Sequence, residues 1–291
     1  MEKQKGALSM KGYKQGVLLG LLLTVTLLGG CTQNTNDPNM TGMGTITVCS
    51  REEGSGTRAE FEKQLNISGE KSDVSLDATD TMIRAVGTDK NAIGYAAYHE
   101  ALKNERVKIL SVDGVLPTEE TMKSGKYALN REFQLSYQED LSAPAADFLA
   151  YIMSAGQKIA ASYAIPVKKA GTFLSDRSEG TVTIEGSSSA AELLQALADD
   201  YHTYNDKVKI MIYVTDSSDG ITKAMQKKCD LAMSSRSLKD YEAELLESTV
   251  IATDGIAVIV NEKNPLAGIS KAQLKRIYNK ETTEWKDWNG K

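Results

Sequence analysis

Residues 45–65 read TITVCSREEGSGTRAEFEKQL, and this stretch predicts the fold of the chain. The β-branched run at 45–50 indicates a strand, and residues 57–65 indicate a helix, with Gly54-Ser55-Gly56 in the turn between them. The same order of strand, polar turn and helix recurs at 181–204 and at 207–227. Such alternation is typical of an α/β fold with largely parallel strands.

The composition excludes several classes of protein. The chain has 291 residues, 34 Lys+Arg against 39 Asp+Glu, and 41% hydrophobic residues, which is typical of a globular protein of about two lobes. Two histidines and three cysteines occur without Cys-x-x-Cys or His-x-x-x-His spacing, which argues against a structural zinc site, an iron–sulfur site or a histidine-based triad. We expect no cofactor. It also has neither a P-loop nor a G-x-S-x-G nucleophile turn.

The N-terminal segment predicts export. Residues 1–30 combine four lysines with a short apolar run at 17–28, which is typical of a signal peptide and too short to span a bilayer. Leu28-Gly29-Gly30-Cys31 resembles a lipobox, so we expect lipidation at Cys31 and a membrane anchor outside the cell. An ordinary signal peptide with an incidental cysteine is the alternative. Residues 31–44 are polar and aperiodic, and we predict a flexible tether.

Removal of residues 1–30 makes the remaining chain more acidic. It then holds 30 basic and 38 acidic residues, a net charge of −8. This surface does not favour nucleic acid or anionic lipid. A site for an anion must therefore be local and must rely on hydrogen bonds. Cys49 and Cys229 are predicted to be buried thiols, with a disulfide between them as the alternative.

Four serine- and glycine-rich turns lie at predicted helix starts. A helix start exposes unpaired N–H groups and the positive end of the helix dipole, so each turn is a candidate anion cradle. Helix capping without a ligand is the alternative for any single turn. Arg51 precedes the first turn and offers paired donors to an oxyanion. The turns are Gly54–Thr57, Gly186–Ser189, Ser217–Gly220 and Ser234–Ser237.

Eight segments together resemble the phosphate-binding proteins of phosphate ABC importers. The resemblance touches most of the chain after the tether and is most specific at SREEGSGTR. The segments are TITVCSREEGSGTRAEFE, NAIGYAAY, VKILSVDGVLPT, SGKYALNREF, TVTIEGSSSAAELLQALADDY, DLAMSSRSLKDYE, DGIAVIVNEKNP and KAQLKRIYNKETTEWKDW.

The resemblance implies a two-lobed periplasmic-binding-protein-like fold of type II, with hinge strands between the lobes. Family members begin with the strand and turn found here at 181–190 and reach the SREEGSGTR motif only later, so the order here resembles a circular permutation. A fragment of a tandem duplication is the alternative. We place the junction at 166–180 and the hinge near 94–97 and 257–260. One lobe would be continuous over 96–258, and the other would combine 45–95 with 259–291.

The resemblance also implies the site residues. Arg51, Ser55, Gly56 and Thr57 match donors from one lobe; Ser187, Ser188 and Ser189 match the first Ser/Thr turn, Ser217 the second and Ser235 a third position. One branch of the family has an aspartate after the third-turn serine, where this chain has Arg236. Asp254 is our candidate for the carboxylate that accepts the proton of hydrogen phosphate, and Asp216 and Asp219 are the alternatives.

These observations predict a monomeric binding protein that carries inorganic phosphate to an ABC permease and ATPase, not an enzyme. Three alternatives stay open: a binding protein for another tetrahedral oxyanion, a sensor or surface lipoprotein that does not transport, and an enzyme acting on phosphate esters. The last needs a metal or a nucleophile, and the sequence supplies no ligand cluster for one.

Overall fold

The computed structural model describes residues 38–67 and 69–288. The predicted signal peptide, Cys31 and residues 31–37 of the predicted tether lie outside the described residues. Within the described part, no helix combines the length and apolar character needed to cross a membrane.

The described residues form twelve strands. Most of them are short runs of β-branched and apolar residues, which favour a pleated and buried surface. They are β1 (Thr47–Arg51), β2 (Val74–Leu76), β3 (Ala92–Ala97), β4 (Val107–Ile109), β5 (Ser111–Val112), β6 (Asn130–Tyr137), β7 (Ile165–Pro166), β8 (Gly180–Ser187), β9 (Val208–Thr215), β10 (Leu231–Ser234), β11 (Glu247–Asn261) and β12 (Gly268–Ile269).

Ten α-helices and one 3₁₀ turn at Trp285–Asp287 connect these strands in the described ranges. The helices are α1 (Gly56–Leu65), α2 (Thr79–Thr88), α3 (Tyr98–Leu102), α4 (Glu119–Lys123), α5 (Ala143–Ile152), α6 (Gln157–Ala160), α7 (Ser188–Tyr201), α8 (Ser217–Met225), α9 (Asp240–Ala243) and α10 (Lys271–Tyr278). The predicted α/β alternation is confirmed at β1–α1, β8–α7 and β9–α8, where the boundaries differ from the expected ones by a few residues.

One sheet of ten strands runs through the described chain in the order β2-β1-β3-β11-β6-β10-β8-β9, with β4 and β7 also paired to β11. At one end β1 pairs in parallel with β2 and β3, and at the other end β8 pairs in parallel with β9 and β10. The central pairs β3–β11, β11–β6 and β6–β10 are antiparallel. The two parallel ends each carry their own βα units.

Two main hydrophobic cores flank the middle of this sheet. The first draws its buried side chains from residues 40–129 and 256–285 together with Ile165, and the second draws its own from other residues within 133–252. Residues 98–129, which we assigned from sequence to the continuous lobe, thus contribute to the first core through side chains such as Leu110 and Tyr127. The described body therefore has two lobes that share one sheet.

The strands that pass between the cores are β6 and β11. Leu129 belongs to the first core and Phe133 to the second, and the same change falls between Ala252 and Ile256 on β11. The intervening residues pair with one another, with Arg131 opposite Asp254. Residues 94–97 and 257–260, where we expected the hinge, are adjacent strands inside the first core. They are buried on both faces because the sheet is covered on both sides there.

The segments that we predicted to be irregular contact the folded body. In 38–44, Met40 is buried in the first core and Gly42 accepts a hydrogen bond from Lys90 Nζ at 2.8 Å. In the predicted junction, residues 167–179 have no regular structure, yet Phe173 packs on Tyr151 and the backbone N–H of Asp176 donates to Asp147 at 2.9 Å. Residues 38–44 are therefore anchored to the body, and the junction follows its surface.

The two cysteines of the described chain are buried free thiols, as we predicted. Burial is the main cause that raises the pKa of both Cys49 and Cys229 to about 12. A thiol with so high a pKa is almost entirely protonated near neutral pH and is a poor nucleophile.

Candidate anion-binding site

The first wall of the site is the start of α1. β1 ends at Arg51, the chain turns through Gly54, and Ser55 caps the helix by accepting a hydrogen bond from the Arg58 N–H. A Cβ atom on Gly56 would lie 2.4 Å from Ser217 Oγ and 2.7 Å from Ser235 Oγ. Glycine is therefore needed here because backbone from one lobe meets side chains from the other.

The start of α7 forms the facing wall and contributes three serines. β8 ends at Ser187, and Ser188 and Ser189 open the helix. Gly186 has a φ of 139°, and a Cβ there would lie 2.1 Å from the Met233 carbonyl oxygen. Only glycine fits this conformation beside β10. The tight turn brings the three serines to the interface between the lobes.

The starts of α8 and α2 complete the ring of helix ends. Ser217 opens α8 and its hydroxyl accepts a hydrogen bond from the backbone N–H of Ser235 at 3.2 Å. Thr79 opens α2, and its Oγ1 lies 3.0 Å from Ser189 Oγ. The helices α1, α2, α7 and α8 thus place their positive ends around one point.

The hydroxyl groups of this ring contact each other both between the lobes and within one lobe. Thr57 Oγ1 lies 2.9 Å from Ser189 Oγ, and Ser187 Oγ donates to Ser235 Oγ at 3.0 Å. Every hydroxyl residue of the ring is at most 9% exposed. Hydroxyls that are buried together in this way can turn their hydrogens towards a shared acceptor.

Two buried arginines border the ring. Arg51 donates from Nη2 to Ser188 Oγ at 3.0 Å and forms an ion pair with Glu52 at 2.8 Å. Arg131 donates to Thr57 Oγ1 and forms an ion pair with Asp254 at 3.1 Å. Burial lowers the pKa of Arg131, and Asp254 opposes that effect. Each arginine has its own carboxylate, so the site carries little net charge.

The described residues contain no group of three or more His, Cys, Asp or Glu side chains placed to hold a metal ion. The arrangement therefore consists of hydroxyls, helix N-termini and two guanidinium groups. Chemically, it can hold a dehydrated oxyanion through many neutral donors, with positive charge at two edges.

Comparisons with known proteins show which family the chain belongs to. The model of the PBP superfamily domain matches residues 32–155 and 172–291. A phosphate-binding protein PstS 2 from Streptococcus agalactiae is 38% identical over 295 residues, covering 96% of this chain and 99% of that relative. A PstS 2 from Streptococcus pneumoniae is 33% identical and covers 95% and 99%. This chain belongs to the PstS family of phosphate-binding proteins.

A crystal structure of a PstS-family member also matches. It is the phosphate-binding protein of a phosphate ABC transporter from Streptococcus pneumoniae, with 34% identity and a TM-score of 0.68, and it covers 84% of this chain and 100% of its own. The family resemblance and the two-lobed binding-protein fold are thereby confirmed. Both streptococcal alignments run along nearly the whole chain. The two streptococcal relatives therefore have their segments in the same order as this chain. The circular permutation stays a prediction.

Most residues that we assigned to the site lie together in this PstS-family structure. Arg51, Thr57 and the serines at 187–189, 217 and 235 are linked by the contacts described above. Ser55 is buried at the start of α1, but its hydroxyl caps the helix. Asp254 contacts the ring indirectly: its Oδ2 binds Arg131, which in turn binds Thr57.

The two alternatives to Asp254 have local roles. Asp216 Oδ1 accepts hydrogen bonds from the Ser218 and Asp219 N–H groups at 2.8 and 2.9 Å, and so caps α8. Asp219 pairs with Lys223 at 3.1 Å, and its side chain is 40% exposed. Arg236, which replaces the aspartate of one PstS branch, pairs with Glu242 at 2.7 Å. Its charge is thereby neutralised within its own lobe.

Sequence reasoning missed Thr79 and Arg131. Thr79 begins a helix that we did not predict, although Met82, Ile83 and Val86 have helical spacing and are buried. Arg131 shares its face of β6 with Phe133 and Leu135, two buried residues of the second core. A charged residue that falls in the two-residue period of a strand's apolar residues is expected to be buried with them. This pattern could have identified Arg131 as a buried arginine.

Proposed function

We propose that this chain binds inorganic phosphate outside the cell and delivers it to the permease and ATPase of an ABC importer. The observation that supports it best is the meeting of four helix N-termini, lined by hydroxyls, at two buried arginines. The relatives named as phosphate-binding proteins support the same ligand. The proposed ligand residues are Arg51, Ser55, Gly56, Thr57, Thr79, Arg131, Ser187, Ser188, Ser189, Ser217 and Ser235, together with Asp254.

The physical basis is a neutral pocket in an acidic protein. A phosphate dianion attracted only by surface charge would be repelled by a body of net charge −8. Oriented N–H and O–H groups replace its hydration shell at short range, and helix dipoles add positive potential. The separate pairing of Arg51 with Glu52 and of Arg131 with Asp254 compensates the charge of both arginines within the protein.

Asp254 is the proposed acceptor that distinguishes phosphate from sulfate. Its side chain is 1% exposed, and its Oδ2 accepts a hydrogen bond from Arg131, which also donates to Thr57 in the ring. A carboxylate there can accept the proton of hydrogen phosphate, whereas fully ionised sulfate would present a repelling oxygen. Asp254→Asn should therefore reduce the preference for phosphate over sulfate. Asp219→Asn, at an exposed position that pairs only locally, is the matched control.

Several features of the protein outside the site belong to the same proposal. We propose that residues 1–30 are a signal peptide, that Cys31 is lipidated and anchors a monomer to the outer face of the membrane, and that the lobes exchange strands at 130–132 and 253–255. The circular permutation, with its junction at 166–180, remains part of this proposal.

Isothermal titration of the purified protein with phosphate and with sulfate tests the function. We expect tight phosphate binding, little sulfate binding, and a loss of about 2–5 kcal/mol of binding free energy for Arg51→Ala, as when a buried charged partner is removed. Equal affinity for sulfate would instead favour a general oxyanion-binding protein. Turnover of a generic phosphate ester would favour an enzyme. Failure to restore phosphate uptake in a strain without its own binding protein would favour a sensor or surface lipoprotein.

A further inference from the structure

A cluster of ionisable side chains lies behind the anion-binding site, where β6 and β11 pass between the two cores. Asp254 is at its centre. His99 Nδ1 donates to Asp254 Oδ1 at 2.9 Å, and Arg131 Nη2 donates to Asp254 Oδ2 at 3.1 Å. Because Arg131 Nη1 donates to Thr57 Oγ1, this chain of contacts ends on a hydroxyl of the site.

Glu100 also belongs to this cluster, but it is not one of the proposed ligand residues. It follows His99 in α3, and its Oε1 has no accessible surface and no hydrogen-bond partner among the described residues. The Nε atom of Arg131, whose charge acts on Glu100, is also buried without a hydrogen-bond partner among the described residues. Burial is the main cause that raises the pKa of Glu100 to about 8, and the nearby charge of Arg131 opposes the rise. Glu100 can therefore be protonated near neutral pH.

Two cavities meet at Glu100. The inner one has a volume of about 10 Å³ and is also lined by His99, Asp254 and Ser189. It is too small for a phosphate ion, since about this volume is needed for one water molecule. The outer one has a volume of about 360 Å³ and is lined on its basic side by Arg84, Lys103 and Arg106. Glu100 thus lies between solvent and the site.

The charged groups around Glu100 come from three helices (α2, α4 and α7), two strands (β6 and β11) and the loop after α3. Asp254 and Glu192 raise its pKa, and Arg131 and Lys103 lower it. Asp80, Arg84 and Arg106 share the outer cavity, and Glu119 faces His99 from α4. Lys103 and Glu192 pair with each other at 2.7 Å, with side chains about half exposed, so their effects on Glu100 partly cancel. Arg131 is then the buried cation that most favours ionised Glu100.

We propose that Glu100 takes up a proton when the anion binds, so that phosphate binding is coupled to protonation behind the site. A bound oxyanion adds negative charge beside Arg131. The positive charge of Arg131 then interacts with the anion as well, so it stabilises the ionised carboxylate of Glu100 less. The protonated form of Glu100 then becomes more stable. The only covalent change is that the Glu100 carboxylate gains one proton from solvent through the outer cavity. This inference rests on the proposed function.

Proton uptake can be measured by titrating phosphate into the protein at pH 8 in several buffers of different ionisation enthalpy. At this pH most free phosphate is already the dianion, so its own protonation contributes little. We expect the wild type to take up a measurable fraction of a proton and Glu100→Gln to take up much less. The affinity of the wild type should also weaken as pH rises through 8, by about tenfold per pH unit at most, and that of Glu100→Gln should change less.

Two variants serve as controls. Glu192→Gln removes a carboxylate from both cavities but keeps Glu100, and it should retain proton uptake. Glu100→Asp keeps an ionisable group and should restore part of the uptake if Glu100→Gln folds poorly. Equal uptake by wild type and Glu100→Gln, with phosphate still bound, would refute the coupling alone. Absence of phosphate binding by the wild type would refute the proposed function together with this inference.

Discussion

Arg131 and Asp254 form a buried ion pair at 3.1 Å between the two strands that pass from one core to the other. Their side chains are 0% and 1% exposed. The pair lies at the crossover of the lobes, and Arg131 also contacts Thr57 at the start of α1. The same arginine therefore connects the strands that join the lobes to the surface where a ligand would bind.

Removal of either partner of this pair should strongly destabilise the fold. Arg131→Met and Asp254→Asn should each lower the free energy of unfolding by about 3–5 kcal/mol, because a buried charge or polar group loses its partner. The double variant should lose less than the sum of the two. Urea unfolding of all four proteins measures the coupling. The exposed pair Asp80–Arg84, with side chains 67% and 63% exposed, is the control and should show a coupling below about 1 kcal/mol.

The close approach of the lobes at Gly56 predicts a specific loss of phosphate binding. A Cβ at this position would lie 2.4 Å from Ser217 Oγ, so Gly56→Ala should hold the two walls apart and weaken phosphate affinity at least about tenfold, the equivalent of 1.4 kcal/mol. Gly171→Ala, where no atom lies within 4 Å of the added Cβ, should bind normally. Titration calorimetry tests both. Unchanged affinity in Gly56→Ala would mean that the lobes need not approach this closely to hold the ligand.

Glu70 predicts how stability depends on pH. Its side chain has no exposed surface, and neither carboxylate oxygen accepts a hydrogen bond, although Arg58 Nε lies 3.4 Å from Oε1. Burial is the main cause that raises the pKa of Glu70 to about 8, and the charge of Arg58 opposes the rise. Because the pKa of Glu70 is raised in the folded state, protonated Glu70 contributes to the free energy of unfolding. This contribution is fully present below pH 4.5 and is lost as pH rises towards 8. Glu70→Gln should therefore stabilise the protein at pH 9 by roughly 2–4 kcal/mol and much less at pH 5.

Chemical unfolding of wild type and Glu70→Gln at both pH values measures this difference. Glu281→Gln, at an exposed acidic position, is a control that should show no such pH dependence. An equal gain for Glu70→Gln at pH 5 and pH 9 would show that the carboxylate is not the cause.

The buried thiols predict slow chemical labelling. In a Cys31→Ser variant, only Cys49 and Cys229 remain of the three cysteines, and burial keeps both protonated and largely shielded from solvent. The native protein should react with a thiol reagent far more slowly than the unfolded protein, which should label two thiols per chain. Absence of labelling after unfolding without a reductant would indicate a disulfide instead.

Much of the candidate site could be predicted because its signal is local. Gly54-Ser55-Gly56-Thr57 lies between a strand and a helix, and the same holds for the serines at 187–189 and 217. The alternation of strand, polar turn and helix determines which residues open a helix, and the helix N-terminus then determines their chemistry. The family resemblance added the ligand, and the acidic composition indicated a pocket of neutral donors.

Tertiary structure decided which of these local features act together. Arg131 entered the site only because β6 pairs with β11 and places it beside Asp254, although the two residues are 123 positions apart. Thr79 meets Ser189 across 110 positions for the same reason. Core membership depends on long-range packing, so residues 94–97 lie within the first core and the change from one core to the other falls between Leu129 and Phe133. The sequence by itself determined the α/β alternation and the hydroxyl-rich helix starts, since those depend on neighbouring residues. Charge pairing, the crossover and the closed ring depend on contacts between distant residues, and only the folded chain determines them.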